Sequence, residues 1–277
     1  MGETPAGQAP IRDDEGWYHL PDGTACMSVT TLIEHGIPKP GLVHWAAIEV
    51  ARCAISAIPQ LSRLRGETAR DDAYEWLRRA AERKRDEAAE FGGAIHDHVE
   101  ARILGAPTPR PTDEQRPFIA AFDRFLDDHQ PEFEATELVV ANPADRWAGR
   151  LDAIGKLPRY GDDLLTIDWK TGRKVYDESA LQLSGYRRAT VGWLKDGTPV
   201  EPPATTGGVV VHIRPDVHEK TGGYRLYRAD TSDEVYASFL AARDVAITWT
   251  RRRKKRAVTV LNLPPLPASP EKTKEVA

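Results

Sequence analysis

Two aspartates and a lysine stand where they can do chemistry together. The strand-like stretch LLTIDWKTG ends on Asp168 and Lys170, and Asp152 lies in the preceding stretch RLDAIG. If the chain turns at Tyr160, Asp152 and Asp168 lie equally far from the turn and face each other across a hairpin. Lys170 shares a face with Asp168, because alternate residues of a strand point the same way. The other face is predicted to be core, with Leu151, Ala153, Leu165, Ile167 and Trp169.

Facing carboxylates repel by about 0.2–1 kcal/mol when exposed, and by more where water is excluded. A cation between them is therefore expected, and Mg²⁺ or Mn²⁺ suits carboxylate oxygens. Lys170 can orient or help deprotonate an attacking water and offset charge on a phosphoryl group. These residues predict a phosphodiester hydrolase site. The alternative is an ion-pair cluster on a solvated face of the sheet.

Three further residues belong to this pattern. Gln182 and Tyr186 lie four residues apart on one face of a predicted helix, where they can contact the lysine or a phosphate. In GGAIHDHVE, two glycines cost a helix about 1 kcal/mol each, so another backbone passes close to Gly92 or a new helix starts there. His96 is expected to face structure, as a hydrogen-bonded core residue or a metal ligand. His98, on another face, is expected at the surface.

The surrounding elements predict a mixed α/β fold. The N-terminal stretch around Asp22 predicts a β-hairpin. Helical spacing follows in LVHWAAIEVARCAISAI and in DDAYEWLRR to ARILG, the second bent or restarted near Gly92. Thr112 and Gln115 form a capping box before a third helix. ELVVA, RWAGRLDAIGKL and LLTIDWK are predicted strands, DESALQLSGYRRATVGWL a helix, GGVVVHIRP and GGYRLYRA strands, and SDEVYASF to RRRKKR a final helix.

Composition limits the classes of function. The chain has 277 residues and a formal net charge of -4, which argues mildly against non-specific coating of nucleic acid. Its two cysteines, Cys26 and Cys53, are too few for a disulfide framework or a four-cysteine zinc or iron–sulfur site. No stretch approaches the roughly 18 apolar residues of a membrane span, and the start is polar. We expect a soluble, unexported cytoplasmic protein without a membrane partner.

Basic residues are the candidate DNA contacts. Arg150, Arg173 and Lys174 flank the predicted site and can hold phosphates. The tryptophans of the strands are expected to pack in the core. The run RRRKKR, Arg251 to Arg256, is either a solvated helix end or a phosphate-binding patch, and the proline-rich end after it is predicted to be a flexible tail.

Five motifs in order carry a family resemblance. GGAIHDHVE, ATELVV, WAGRLDAIG, LLTIDWKTG and LQLSGYRRA span about residues 92 to 189. The set resembles the RecB-like branch of the PD-(D/E)XK nuclease superfamily, which includes phage and CRISPR-associated exonucleases. The resemblance implies a restriction-endonuclease-like core, a central mixed β-sheet flanked by helices. It also implies a β-hairpin and helical extension over 1–65, a nuclease domain over 66–256 and a tail over 257–277.

The resemblance also implies roles for individual residues. Four groups would bind Mg²⁺ or Mn²⁺: His96, Asp152, Asp168 and the backbone carbonyl of Trp169. Asp152, Asp168, Lys170, Gln182 and Tyr186 would form the catalytic set, with Lys170 as the catalytic lysine. Glu137 matches an acid often found at the start of the first strand. The four-cysteine iron–sulfur cluster of many CRISPR-associated relatives is not expected here.

The function expected from this resemblance is metal-dependent exonucleolytic digestion of linear DNA in phage recombination, replication or repair. A recombinase, a single-strand-binding protein or a helicase would be a partner, in the bacterial host cytoplasm if the protein is phage-encoded. One alternative is a structure-specific endonuclease for branched or flap DNA. Another is a catalytically silent DNA-binding or assembly module.

Overall fold

The computed structural model describes residues 9–253, and the side chains of residues 9–250. The strands are β1 (Ile11–Arg12), β2 (Trp17–His19), β3 (Ala25–Ser28), β4 (Glu132–Asn142), β5 (Trp147–Lys156), β6 (Leu164–Lys170), β7 (Val191–Trp193), β8 (Pro199–Val200), β9 (Gly207–Ile213) and β10 (Tyr224–Ala229). The helices are α1 (Val29–Gly36), α2 (Pro40–Ser56), α3 (Ile58–Leu61), α4 (Glu67–Arg78), α5 (Ala80–Ile103), α6 (Arg116–His129), α7 (Glu178–Tyr186) and α8 (Asp233–Arg253).

The strands form a curled, mixed sheet flanked by helices. One path runs β1-β2-β3-β5-β4-β7-β8, and a branch from β5 continues through β6 and β9 to β10. The pairs β3–β5 and β6–β9 are parallel, and the remaining pairs are antiparallel. The predicted α/β class is therefore confirmed, with the parallel pairs as features that the local patterns did not reveal.

The sheet branches within β5. β4 covers one edge of β5 along its length, while the other edge pairs first with β3, at Trp147 and Ala148, and later with β6, from Ala153 to Lys156. Ala153 and Ile167 pair with each other, and they lie equally far from Tyr160 along the sequence. The predicted hairpin register is therefore confirmed. The segment of β5 between its two partners contains Asp152. The branch point thus opens the sheet beside this carboxylate.

At this same branch point, the alternation of side chains along β4 and β5 is interrupted, so that residues after it point to the opposite face from the one expected. Leu151 and Ile154 pack into one core cluster although they lie three residues apart, and Leu138 and Ala135 do the same on β4. A regular strand would put such residues on opposite faces. Glu137, between the two β4 residues, has a left-handed φ of 50°. The prediction that Leu151 lies with Ile167 and Trp169 is therefore wrong, because the strand changes faces after it.

The two larger of three core clusters cover the two faces of the sheet, and the third contains Tyr18, Leu20, Cys26, Ala141, Ala148 and Trp193. The α8-side core contains Met27, Val29, Leu32, Ile33, Leu138, Val140, Trp147, Leu151, Ile154, Tyr186, Phe239, Ala242 and Ala246. The α6-side core contains Ile95, Val99, Ala121, Phe122, Phe125, Ala153, Leu157, Ile167, Trp169, Val211, Ile213 and Tyr224. Trp147 and Trp169 are buried, as predicted. Their rings fix β5 and β6 against α8 and α6 through edge-to-face contacts with phenylalanines.

Helix boundaries bear out most of the helical patterns. Thr112 and Gln115 exchange the two hydrogen bonds of a capping box, as predicted, at 2.9 and 3.3 Å. The break in the long helical stretch lies at Arg79, however, and α5 runs without interruption through Gly92. The predicted start of a new helix there is wrong, and a Cβ at Gly92 would lie 3.4 Å from Thr171 Oγ1, which is ordinary van der Waals contact.

The structure differs from the prediction after α7 and agrees with it in the N-terminal hairpin. The helix predicted to reach Leu194 ends at Tyr186, and Val191–Trp193 instead pairs with β4 as an edge strand. The hairpin around Asp22 is confirmed by the antiparallel pairing of β2 with β3. The basic run is described only as far as Arg253, so its last three residues and the predicted tail lie outside the described residues.

The N-terminal region contributes to the sheet and to a helical arm. β3 joins the sheet directly, whereas α2, α3 and α4 contain no buried residue and pack near the start of α5, where Arg83 contacts Cys53 and Trp76. The domain limits at residues 65 and 256 stay predictions. Among the described helices, none combines the length and the apolar character needed to cross a membrane.

Candidate functional site

Asp168 and Lys170 form a buried ion pair at the end of β6. Asp168 is 2% exposed between β5 and β9, and Lys170 Nζ donates to its Oδ1 at 2.7 Å. Nζ also lies 2.7 Å from Oδ2, but at an angle unsuited to a hydrogen bond, so Oδ2 accepts none from the described residues. Burial raises the pKa of Asp168 although Lys170 opposes the shift. Burial would lower the pKa of Lys170, but the charges of Asp168 and Asp152 raise it overall.

α7 holds this lysine from the other side. Gln182 Oε1 accepts a hydrogen bond from Lys170 Nζ at 3.3 Å, which confirms the predicted contact, and Gln182 Nε2 lies 3.5 Å from the Tyr186 hydroxyl. A Cβ at Gly149 would lie 2.7 Å from the Tyr186 ring, so only glycine lets that ring pack on β5. Burial raises the pKa of Tyr186, which keeps its hydroxyl protonated. Tyr186 thus connects Gln182, which contacts Lys170, to the branch point of the sheet.

His96 joins α5 to both strands of the hairpin. Its Nε2 lies 3.1 Å from the Trp169 carbonyl oxygen, and its Nδ1 lies 3.6 Å from Asp152 Oδ1. The other Asp152 oxygen accepts the Trp169 N–H at 2.8 Å. A carbonyl only accepts, so Nε2 carries a proton in this contact. Nδ1 then directs a lone pair at a carboxylate unless a proton or a metal ion sits between them.

Glu137 is the third acid at this point. Its side chain is 8% exposed, and Oε2 pairs with Arg150 Nε at 2.9 Å. Ligand atoms of His96, Glu137 and Asp152 all lie within 4.8 Å of one another. Burial raises the pKa of Glu137 to about 7, an effect that the Arg150 charge partly offsets. The structure therefore groups Glu137 with two of the predicted metal ligands, while the Asp168 carboxylate pairs with Lys170.

The resemblance gave a weak signal for Glu137, as an acid at the start of the first strand; that position is wrong, because β4 already begins at Glu132. The sequence carried no signal for Glu100, which lies one helical turn after His96 on α5 and forms an ion pair with Lys195 of the β7–β8 turn. The charge of Glu100 also acts on Glu137. His98, expected at the surface, is 5% exposed. That expectation is wrong because α6 packs over this side of α5, where His98 lines a small cavity with Ile119 and Phe122.

The three basic residues proposed for DNA contacts occupy two places. Arg150 is on β5 with Glu137, and Arg173 and Lys174 lie in an exposed bend after β6. Their contacts with DNA stay predictions. His212 anchors this bend: its Nε2 donates to the Gly172 carbonyl at 2.7 Å.

The same histidine is half of a buried pair. With its Nε2 proton on Gly172, the Nδ1 of His212 must accept from His218 Nε2, at 2.8 Å. Burial lowers the pKa of both imidazoles, so the pair is neutral near pH 7.

No family model matches the chain, and no curated protein matches it. The chemistry open to this protein is therefore defined by the residues at the branch point of the sheet.

Proposed function

We propose that the protein is a divalent-metal-dependent deoxyribonuclease with a RecB-like PD-(D/E)XK core. The observation that carries the proposal is the close group of His96, Glu137 and Asp152 beside a lysine held by Asp168 and Gln182. Carboxylates and an imidazole suit Mg²⁺ or Mn²⁺, and a lysine next to them suits a phosphoryl group. A surface ion-pair cluster accounts less well for the group, because Asp168 and Glu137 are buried.

The donor set fits a divalent cation. The Nδ1 lone pair of His96 and an Asp152 oxygen face each other, and Glu137 brings a second buried carboxylate. The two other ligands that the resemblance implies contact different groups: Asp168 Oδ2 lies 2.7 Å from Lys170 Nζ, and the Trp169 carbonyl oxygen lies 3.1 Å from His96 Nε2. Mg²⁺ or Mn²⁺ at these residues would polarise a phosphoryl oxygen and lower the pKa of a water molecule.

Lys170 has a defined part in this chemistry. Its pKa is raised, so Nζ is a cation at neutral pH and acts by orienting the nucleophile and offsetting charge on the phosphoryl group. A role as proton acceptor fits less well. Asp168 and Gln182 fix the position of Nζ, and Tyr186 fixes Gln182. Arg150, Arg173 and Lys174 would hold the flanking phosphates.

We further propose an exonuclease that acts on ends of linear DNA, as the motif order indicates, with the phage setting and its partners as parts of the same proposal. An endonuclease for branched or flap DNA would use the same residues. A silent DNA-binding module would gain little from acids beside a phosphate backbone. One experiment separates the three.

The test is digestion of end-labelled linear DNA, single- and double-stranded, beside a closed circle, with Mg²⁺, Mn²⁺ or EDTA. We expect metal-dependent loss of linear DNA only, reduced at least about 100-fold in Lys170→Ala because transition-state charge is then unbalanced. Lys156→Ala, at the far end of β5, is the control and should retain activity. Cleavage of the circle would favour the endonuclease, and DNA binding without cleavage in Mg²⁺ or Mn²⁺ would favour the silent module. Cleavage in EDTA, or full activity in Lys170→Ala, would contradict the proposal.

A further inference from the structure

The ion pair between Arg150 and Glu137 joins an exposed cation to a buried acid. The Arg150 side chain is 63% exposed and that of Glu137 8% exposed, with Nε 2.9 Å from Oε2. The guanidinium lies at the surface and can swing into solvent without disturbing the core. The carboxylate has no such freedom, because β4 and β5 hold it at the branch point of the sheet.

Glu137 needs a positive partner where it lies. Desolvation disfavours its charged form, and both Asp152 and Glu100 act on it as like charges. Arg150 supplies the opposing positive charge. The same carboxylate lies within 4.8 Å of the ligand atoms of His96 and Asp152. One acid therefore belongs both to an ion pair and to the candidate metal group.

We propose that Arg150 and a divalent cation compete for the Glu137 carboxylate. A cation held by His96, Glu137 and Asp152 satisfies the buried acid with two positive charges, and it repels the guanidinium beside it. Arg150 then leaves Glu137 and becomes free to bind a phosphate. The inference rests on the proposed nuclease function and adds an order of events: the cation binds first, and phosphate binding by Arg150 follows.

The position of Arg150 suits this exchange. It lies two residues before Asp152 on β5, at the segment where the sheet opens between β3 and β6. A substrate phosphate near the cation would therefore be within reach of a released guanidinium, which binds phosphate through paired N–H donors. While paired with Glu137, Arg150 Nε lies 2.9 Å from the carboxylate Oε2, and the guanidinium charge is held beside that acid.

The test measures binding of Mn²⁺ alone, from the signal of free Mn²⁺ in electron paramagnetic resonance, with the full chain and without DNA. Arg150→Met removes the competing charge and keeps the length of the side chain. We expect Mn²⁺ to bind about three- to fivefold more tightly, as expected for loss of one partly exposed ion pair. Arg102→Met is the matched control, because Arg102 Nε pairs with Asp123 at 2.8 Å and is 58% exposed. Its affinity for Mn²⁺ should equal that of the wild type.

Two further measurements sharpen the result. In a Glu137→Gln background, Arg150→Met should no longer tighten Mn²⁺ binding, because the carboxylate for which Arg150 and Mn²⁺ compete is absent. In ¹⁵N-labelled wild type, the Arg150 Nε–H resonance, assigned by its loss in Arg150→Met, should move towards the position of a solvated arginine on saturation with Mg²⁺.

The outcomes separate this inference from the proposed function. If wild type and Arg150→Met bind Mn²⁺ equally, or if the variant binds more weakly, the competition is wrong while the metal site stands. If neither protein binds Mn²⁺, both proposals fail. Tighter binding in Arg150→Met, with Arg102→Met unchanged, supports the competition.

Discussion

At the scale of single residues, Asp168 shows why an acid stands at the end of an apolar strand. Its carboxylate is buried with Lys170 Nζ, and Gln182 adds a further contact. The pair is therefore internal structure as well as candidate chemistry. A buried ion pair contributes little net stability when both partners are present, but removal of one leaves the other uncompensated.

Asp168→Asn should lower the free energy of unfolding by about 2–4 kcal/mol, because Lys170 loses its counter-charge in a largely buried place. Urea denaturation at pH 7.5 measures the loss, and Asp162→Asn in the exposed β5–β6 turn is the control. The double variant Asp168→Asn/Lys170→Met should regain stability without regaining nuclease activity. An unchanged stability in Asp168→Asn would show that the pair is not buried as described.

At the scale of elements, α5 and the β5–β6 hairpin meet through backbone as much as through side chains. His96 contacts the Trp169 carbonyl, and the Trp169 N–H contacts Asp152. β9 supports the other side of β6, and its His212 holds the bend that carries Arg173 and Lys174. The position of that bend therefore depends on a neutral pair formed by His212 of β9 and His218 of the β9–β10 loop.

The neutral pair predicts a pH dependence of stability. The pKa values of His212 and His218 are lowered in the folded state, so their contribution is present above the ordinary histidine pKa of about 6.5 and is lost as the pH falls below it. Between pH 7.5 and pH 5.5, the free energy of unfolding of His212→Gln should fall less than that of the wild type. Urea denaturation at each pH measures both.

The comparison must be between variants, because Glu137, with its raised pKa, acts in the opposite direction over part of this range. His35→Gln, at an exposed position on α1, is the control and should follow the wild type. Identical pH profiles for wild type and His212→Gln would contradict the role of the pair.

At the scale of the whole molecule, one sheet carries two large core clusters and a smaller third, and the candidate site lies where its strands diverge. His96 comes from α5 beside the α6-side core, while Tyr186 comes from the α8-side core. A cation bound at this junction would join β4, β5 and α5. Because the cation would bind the folded chain and not the unfolded chain, it should stabilise the folded state.

Mn²⁺ at a concentration well above its Kd should therefore stabilise the folded state by about 1–3 kcal/mol. This stabilisation should raise the Tm of the wild type by about 3–8 °C. Asp152→Asn should lose most of this shift, because it removes a charged ligand atom. Asp163→Asn, in the exposed turn, makes the same change of charge and should keep the shift in thermal melts followed by circular dichroism. Equal shifts in both variants would place the cation elsewhere.

Local patterns predicted much of the candidate site. The turn at Tyr160, the alternation in β6 and the helical spacing of Gln182 with Tyr186 each depend on near neighbours in the chain. They were enough to place Lys170 against Asp168 and Gln182, and to set the register of the hairpin. The resemblance supplied His96, which does contact Trp169 and Asp152.

The sequence by itself determined the α/β class, the β5–β6 register and the polar face on β6, because helix and strand periods act over a few residues. Tertiary structure alone decided the partners of those elements. Glu137 joins His96 through a face change in β4, α5 continues without a break through Gly92, and β6 pairs in parallel with β9. The contact of His96 with Trp169 spans 73 residues. No local period encodes such contacts, since they form only when separate elements pack into one core.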